Sequence, residues 1–425
     1  MRAVPAQCDV AIVGGGYAGL SAALTLARAG RSVHLFERLR PGEGASTRNA
    51  GVASARLARG ITELGESHGE PAAQAAFQEA QEAWNALAIF IQDEGIPCDF
   101  EVGGALYGAL WPHQLDHMAR EAEFCQQHLG VDAHTVIGPQ MADEIGSERY
   151  LGGLIRPDVA TLNPARLHMA LLALAMDAGV HIHGETGVTR IHQNNNGEHE
   201  LQTMRGRTRT KVVVVASNGY GDKADPWLNR RIIAVPTGMI ATEQLDANTI
   251  GELLPRLKVV GDTRRLAHTL RLSIDRSRIL FSGLSSMGAR NEDAIANVLK
   301  RELVRIFPQL EQLRVTHSWS GYDGYTRTRV PQIYNRNGIR YVVGFSGAGL
   351  VLSHWLGRKA ALQILGDERG GTVFAGDVPS AMPWLAGKSW FLPSVCNYLR
   401  MRDQFDQRGR TRADQQPAAA KEEEH

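Results

Sequence analysis

Gly14, Gly16 and Gly19 stand in G-x-G-x-x-G spacing between an apolar run, Asp9–Val13, and a segment of helical periodicity, Tyr17–Arg28. Gly14 permits a tight turn. Gly16 lets backbone approach a pyrophosphate with no side chain between them, and Gly19 lets the helix pack closely on the strand. The first-turn N–H groups and the positive helix end then face the phosphates. Glu37 ends the next strand-like run, Ser32–Glu37, about 20 residues beyond the glycines. A carboxylate there accepts hydrogen bonds from ribose hydroxyls and repels a 2′-phosphate. The glycine spacing is common by itself. Strand, glycines, helix, strand and acid in this order point to a bound dinucleotide, NAD or FAD.

Three further segments favour FAD. Gly44–Gly51 (GASTRNAG) follows Glu37 and reads as another helix start rich in hydroxyl and amide side chains. Lys211–Tyr220 (KVVVVASNGY) is an apolar strand ending in small residues. Tyr341–His354 (YVVGFSGAGLVLSH) is a second strand–glycine–helix unit near the far end of the chain. A helix N-terminus there suits the flavin edge where negative charge develops on reduction.

Other residues are candidates for the substrate side. Arg271 in HTLRLSIDRSR is either a cation toward the flavin or a substrate carboxylate, or a solvated strand arginine. Tyr325, Arg327 and Arg329 precede Pro331; the arginines either grip an acidic substrate group or pair with carboxylates of the helical insertion over 71–150. His354, one turn into the last helix, reads as a packing histidine before a catalyst. His181 and His183 are two apart on a strand, but no cysteine or clustered acid accompanies them, so no metal is expected. Trp384–Leu392 is an aromatic, apolar stretch suited to burial against the body or a partner, or to a membrane surface.

The elements that must carry these residues follow from the rest of the chain. Of its 425 residues, 43% are hydrophobic and 21% charged, which is ordinary globular usage and excludes wholesale disorder. Lys+Arg 46 against Asp+Glu 45 gives a net charge of +1, a poor match for nucleic acid. Glycine is in excess, 45 residues against an ordinary share of about 7%. Cys8, Cys98, Cys125 and Cys396 form no C-x-x-C pair, and free thiols in a cytoplasmic setting are expected. No apolar run is long enough to span a bilayer, and no secretory cleavage pattern opens the chain. Residues 70–94 and 113–129 carry helical periodicity. A helix starts at Pro164 and closes at Gly179, and hairpins turn near Asn196-Gly197 and Gly206. Strands are expected over 231–242, 266–273, 278–283 and 313–319, and a helix over 291–307.

VAIVGGGYAGLSAALTLARAG, GASTRNAG, KVVVVASNGY and GFSGAGLVLSHWLGRKAA together resemble the FAD-dependent D-amino-acid oxidase-type (glycine/sarcosine oxidase) superfamily. Within it, WSGYDGYTRTRVPQIY and KSWFLPSVCNYLRMRD resemble the gamma-glutamylputrescine oxidoreductase-like amine oxidases. The resemblance spans roughly residues 8–403. It implies an α/β fold: a discontinuous Rossmann-like FAD-binding domain from 1–70, 151–230 and 325–370, and a second α+β substrate domain on a mostly antiparallel sheet over 231–324. The stretch 71–150 would be a helical insertion, 371–403 a C-terminal extension and 404–425 a disordered tail.

Carried over by position, the resemblance implies that Gly14, Gly16 and Gly19 face the pyrophosphate and Glu37 the adenosine ribose. Arg38 would lie by the adenosine half. Ser46, Arg48 and Asn49 would line the pyrophosphate-to-flavin stretch. Val188 would offer a backbone contact to adenine, with plain strand and helix-cap roles standing beside these readings of Val188 and Ser46. Gly344, Gly347, Ala348 and Gly349 would approach the flavin ring. Relatives with covalent flavin use a Cys in the C-terminal loop or a His near the box after the second strand. Residues 316–349 contain no Cys, their only His is His317, and 42–53 contain neither. Non-covalent FAD is therefore expected. Met239 stands where many relatives carry an aromatic residue.

The implied activity is oxidation of an amine or amino acid by hydride transfer to flavin, followed by imine hydrolysis and reduction of O₂ to hydrogen peroxide. A dehydrogenase of the same fold passing electrons to a quinone or carrier protein is the first alternative. A flavin-binding partner protein without turnover is the second. The identity of the amine and the number of subunits, homo-oligomer included, stay open.

Overall fold

The computed structural model describes residues 4–221, 224–256, 258–289, 291–376, 378–382, 384–385, 389–403 and 405. The chain divides into two units, one built from residues 1–102, 159–236 and 321–389 and the other from 103–158, 237–320 and 390–425. The tail expected over 404–425 lies outside the described residues, apart from Phe405.

The first unit is built on a six-stranded sheet. Its strands run in the order Gln332–Arg336, Ile339–Val343, Val212–Val215, Val10–Val13, Val33–Phe36, His181–His183. The inner pairings are parallel, and Gln332–Arg336 closes one edge antiparallel. Val10–Val13 and Val212–Val215 are apolar throughout, as strands covered on both faces must be. The Tyr17–Arg28 helix is lined with small residues and packs closely on the Gly349–Leu365 helix. A Cβ at Gly357 would stand 2.2 Å from Ala18 O, and Ser21 Oγ donates to His354 O at 2.7 Å. Pro164 opens a helix to Asp177, where Asn163 accepts from Ala165 N and Arg166 N as its cap. A three-stranded antiparallel sheet over Val188–Gln193, His199–Thr203 and Gly206–Thr210 turns at Gly197 and Gly206, both with positive φ.

An eight-stranded sheet is built mainly by the second unit, with residues 233–236 and 321–325 of its first two strands belonging to the first. It is mostly antiparallel, in the order Val315–Tyr325, Ile233–Thr242, Ile279–Gly283, His268–Leu272, Val259–Asp262, Ala105–Ala109, Gly152–Arg156, His134–Ile137. One internal pairing, Val259–Asp262 with Ala105–Ala109, is parallel. The Glu292–Ile306 helix buries Ile295, Leu299, Leu303 and Ile306 against one face, with Leu270, Leu272 and Phe281 in the same core. Its cap is Asn291, with acids in its first turn and Arg305 in its last.

The stretch expected as a helical insertion, 71–150, does not form one body. The Glu70–Asp93 helix belongs to the first unit, where its buried Glu79 accepts from Trp355 Nε1 and Val373 N, both at 2.7 Å. Beyond residue 103, short apolar runs between glycines form the strands Ala105–Ala109 and His134–Ile137. The helix expected at GASTRNAG is a single turn, Ala45–Arg48, because Asn49 returns to extended backbone. Among the described residues no helix is long and apolar enough to cross a membrane.

Candidate active site

The glycine loop is fixed by close backbone approach. Gly14 has φ +108°, and a Cβ there would stand 2.8 Å from Ala216 O. At Gly19 a Cβ would stand 1.9 Å from Gly14 O, so the helix can sit on the strand end only without a side chain. A Cβ at Gly16 would meet Ser46 Oγ at 2.8 Å. Gly16 offers no side-chain cap; Ser46 Oγ accepts from Tyr17 N at 3.1 Å instead. The hydroxyl singled out in GASTRNAG thus caps the dinucleotide helix from a distance. Glu37 Oε2 accepts from Gly15 N at 2.7 Å and Oε1 from Leu39 N at 2.8 Å, leaving each oxygen a second lone pair for a ribose hydroxyl.

His168, not anticipated from the sequence, is 1% exposed and bonds Gly15 O through Nε2 at 2.7 Å. Gly15 is therefore held at its N–H by an acid and at its carbonyl by an imidazole. Burial lowers the pKa of His168, so it donates as a neutral ring. Nothing in its own helical periodicity marks it, since its partner lies far upstream.

The turn around Ala45–Arg48 is held from inside. Asn49 Nδ2 donates to Ala45 O (3.1 Å) and Ser46 O (2.9 Å), and Gly51 N donates to Asn49 Oδ1 at 2.8 Å. Arg38 and Arg48 are exposed, and both lie close enough to Tyr220 to lower its pKa against the upward push of burial.

The third glycine segment is a strained turn. Gly344, Ser346 and Gly347 have φ of +83°, +51° and +97° before the Gly349–Leu365 helix, with Ala348 at its N-cap. Two residues that sequence reasoning missed hold it. Asn218 Oδ1 accepts from Gly344 N at 2.9 Å. Asp323 accepts from Asn218 Nδ2 (3.0 Å), from Gly324 N (2.7 Å) and from Gly347 N. All three glycine segments and their supports lie in the first unit.

The profile of FAD-dependent oxidoreductases, the DAO family, matches residues 9–362. The chain belongs to this family. It is 30% identical over 403 residues to gamma-glutamylputrescine oxidoreductase of Escherichia coli (strain K12), covering 94% of this chain and 93% of that one. It is 24% identical over 364 residues to glycine oxidase of Geobacillus kaustophilus (strain HTA426), covering 83% and 92%. The crystal structure of glycine oxidase from Geobacillus kaustophilus superposes with a TM-score of 0.71 at 21% identity, over 86% of this chain and 96% of that one. An L-amino acid deaminase from Proteus vulgaris gives 0.71 at 17% identity, over 88% and 94%.

The remaining candidates of this FAD-dependent oxidoreductase separate by burial. Arg271 is 6% exposed, which overturns the solvated-arginine reading. Leu270, Leu272 and Phe281 point into the second unit's core, so alternation puts Arg271 on the opposite sheet face, with Thr269, Ser282 and Met239. Arg271 Nη1 donates to Leu272 O at 3.0 Å, and burial lowers its pKa to about 10, still a cation at neutral pH. Arg329, at φ +57°, pairs with Glu63 of the Ile61–His68 helix, a carboxylate outside the 71–150 stretch expected to supply its partner. Arg327 is exposed. Tyr325 is half-buried, with its hydroxyl 3.6 Å from where a Gly347 Cβ would stand, and burial pushes its pKa up.

His354 is 7% exposed and packs on Phe90 at 4.7 Å; burial lowers its pKa to about 4. Val188 is 3% exposed, within the core beside Phe36 and Val213. His181 and His183 both stack on His34, at 4.5 and 5.2 Å. All four cysteines are buried. Trp384 and Trp390 are exposed while Leu385 and Leu392 are buried; residues 386–388 of that stretch lie outside the described residues.

Proposed function

We propose that the chain is an oxidase of an amine or amino acid, using non-covalently bound FAD. The observation that carries this reading is the glycine loop: Gly19 has no room for a Cβ, Gly14 is in a conformation that favours glycine, and Gly15 is clamped between Glu37 and His168. Such a loop fits a pyrophosphate. Gly14, Gly16 and Gly19 would hold it, Glu37 the adenosine ribose and Arg38 the adenosine half. Ser46, Arg48 and Asn49 would follow toward the flavin, Val188 would offer its backbone to adenine, and Gly344, Gly347, Ala348 and Gly349 would meet the ring. When bound, FAD supplies a hydride acceptor for the carbon next to an amine nitrogen. The first-turn amides of the Gly349–Leu365 helix would face negative charge as it develops.

Relatives named for oxidation of gamma-glutamylputrescine and of glycine support a substrate with an amine nitrogen. Arg271, buried and cationic on the sheet face away from the core, suits a substrate carboxylate. O₂ would be the acceptor, giving hydrogen peroxide. The purified protein should be yellow, and acid or guanidine precipitation should release the flavin. Anaerobic mixing with glutamylated amines, polyamines, N-methyl amino acids and D-amino acids should bleach it with at least one of them. A colourless protein, or one bleached by none, counts against the reading. Bleaching without peroxide under air would replace O₂ with another acceptor.

A further inference from the structure

Asp323 stands out among the supports of the third glycine segment, because it alone carries a formal charge there. Its donors are all neutral: Asn218 Nδ2, Gly324 N and Gly347 N. The fit around it is tight. A Cβ at Gly219 would stand 2.8 Å from the Asp323 carbonyl oxygen, and one at Gly324 would stand 2.2 Å from Asn218 Oδ1. Asp323 is half-buried as a residue, while Gly347, which it holds, is exposed. One face of this turn is therefore braced by an acid and the other is open. Of the titratable groups nearby, Tyr325 interacts with Asp323 and also with Arg329, and Arg329 is already paired with Glu63. Tyr220 bonds Tyr322 N at 3.1 Å, one residue before Asp323.

We propose that Asp323 is a proton-coupled charge regulator of the bound FAD, ionised beside oxidised flavin and protonated beside reduced flavin. This rests on the reading above that the Gly344–Gly349 turn faces the flavin. In the reductive step the C–H bond next to the amine nitrogen breaks with its electron pair. The hydride adds to the flavin, which gains one negative charge, and the substrate is left as an iminium. A like charge next to Asp323 disfavours its ionised form, so the carboxylate binds one proton from solvent. Burial already pushes its carboxyl above the ordinary range, and the three donors offset this only in part.

The test is the flavin midpoint potential as a function of pH, measured by reductive titration with dithionite and reference dyes. A proton taken up with the electrons changes the reduced-to-oxidised ratio tenfold per pH unit, about 30 mV for a two-electron couple. The wild-type protein should show one such extra proton across a window above the usual carboxyl range, with a kink at its upper end. Asp323→Asn should lack the kink and have a higher potential on the alkaline side, since the ionised charge opposes reduction. Asn218→Ala should keep the kink but move it to higher pH, because a donor to the carboxylate is gone. A merely structural role would alter FAD affinity and leave the pH slope unchanged. Superimposed wild-type and Asp323→Asn curves would overturn the inference. Should Asp323→Asn not retain FAD, an unmoved kink in Asn218→Ala would do the same. A wild-type protein that binds no FAD would overturn both this inference and the reading beneath it.

Discussion

The cofactor site proposed in the first unit is built on glycine backbone and the substrate contact proposed in the second on a side chain, and the two leave different traces. In the first, Gly14, Gly19 and Gly347 are fixed by positive φ or by approaches that exclude a Cβ. Such positions admit essentially one residue type, so they survive in sequence as a motif. In the second, Arg271 and Met239 lie on an ordinary strand alternation. Many side chains fit a sheet face, so the strand pattern says where a residue points and little about what it meets. Cofactor binding is therefore legible in this chain where substrate choice is not.

The contrast can be broken most sharply at Gly19. Gly19→Ala places a Cβ against Gly14 O; FAD affinity should fall by about 4 kcal/mol or more, on the order of a thousandfold. The flavin-to-protein absorbance ratio after gel filtration reads this directly. Leu299→Ala, in the second unit's core, should cost about 3 kcal/mol of stability in thermal or denaturant unfolding. It should leave the flavin spectrum intact.

His354 offers a pH test within the first unit. Its folded pKa of about 4 lies below its ordinary 6.5, so the unfolded chain binds the extra proton between those values. Stability should thus fall as pH drops from about 6.5 to 4 and stop falling through this group below that. Melting temperatures across the window should flatten in His354→Phe, and the pH profile of turnover should not move if the ring only packs. Arg271→Met should raise KM for a carboxylate-bearing substrate by about 2 kcal/mol, roughly thirtyfold, while FAD stays bound. An equal loss with a substrate lacking a carboxylate would detach Arg271 from that role. Asn163→Ala should cost about 1 kcal/mol, the ordinary value of a helix cap, seen as a small shift in melting temperature.

Much of the first unit could be read in advance because local rules and global fold agree there. Strand, glycines, helix and Glu37 stand as the spacing predicts, as do the Pro164 helix and the turns at Gly197 and Gly206. What escaped were long-range partners. His168, Asn218 and Asp323 act on backbone groups tens to hundreds of residues away, and no periodicity of their own segments reveals that. The strands within 103–150 escaped for a related reason. Ala105–Ala109 is a short apolar run whose strand state is decided by pairing with Gly152–Arg156 and Val259–Asp262.

The six-stranded sheet has a consequence for how the molecule comes into being. Its strands are drawn from residues 10–36, 181–215 and 332–343, so its neighbours are far apart along the chain. Such contacts have high sequence separation, which slows folding and prolongs exposure of unpaired strands. On the ribosome, Val10–Val13 waits unpartnered on one side until Val212–Val215 emerges, and the Gly344–Gly349 turn follows only after that. A nascent chain stopped near residue 320 would carry the complete nucleotide motif yet lack the two strands, Gln332–Arg336 and Ile339–Val343, that finish the sheet and the turn that follows them. The turn proposed to face the flavin is thus among the last things this chain can build, although the nucleotide motif is the first thing it spells.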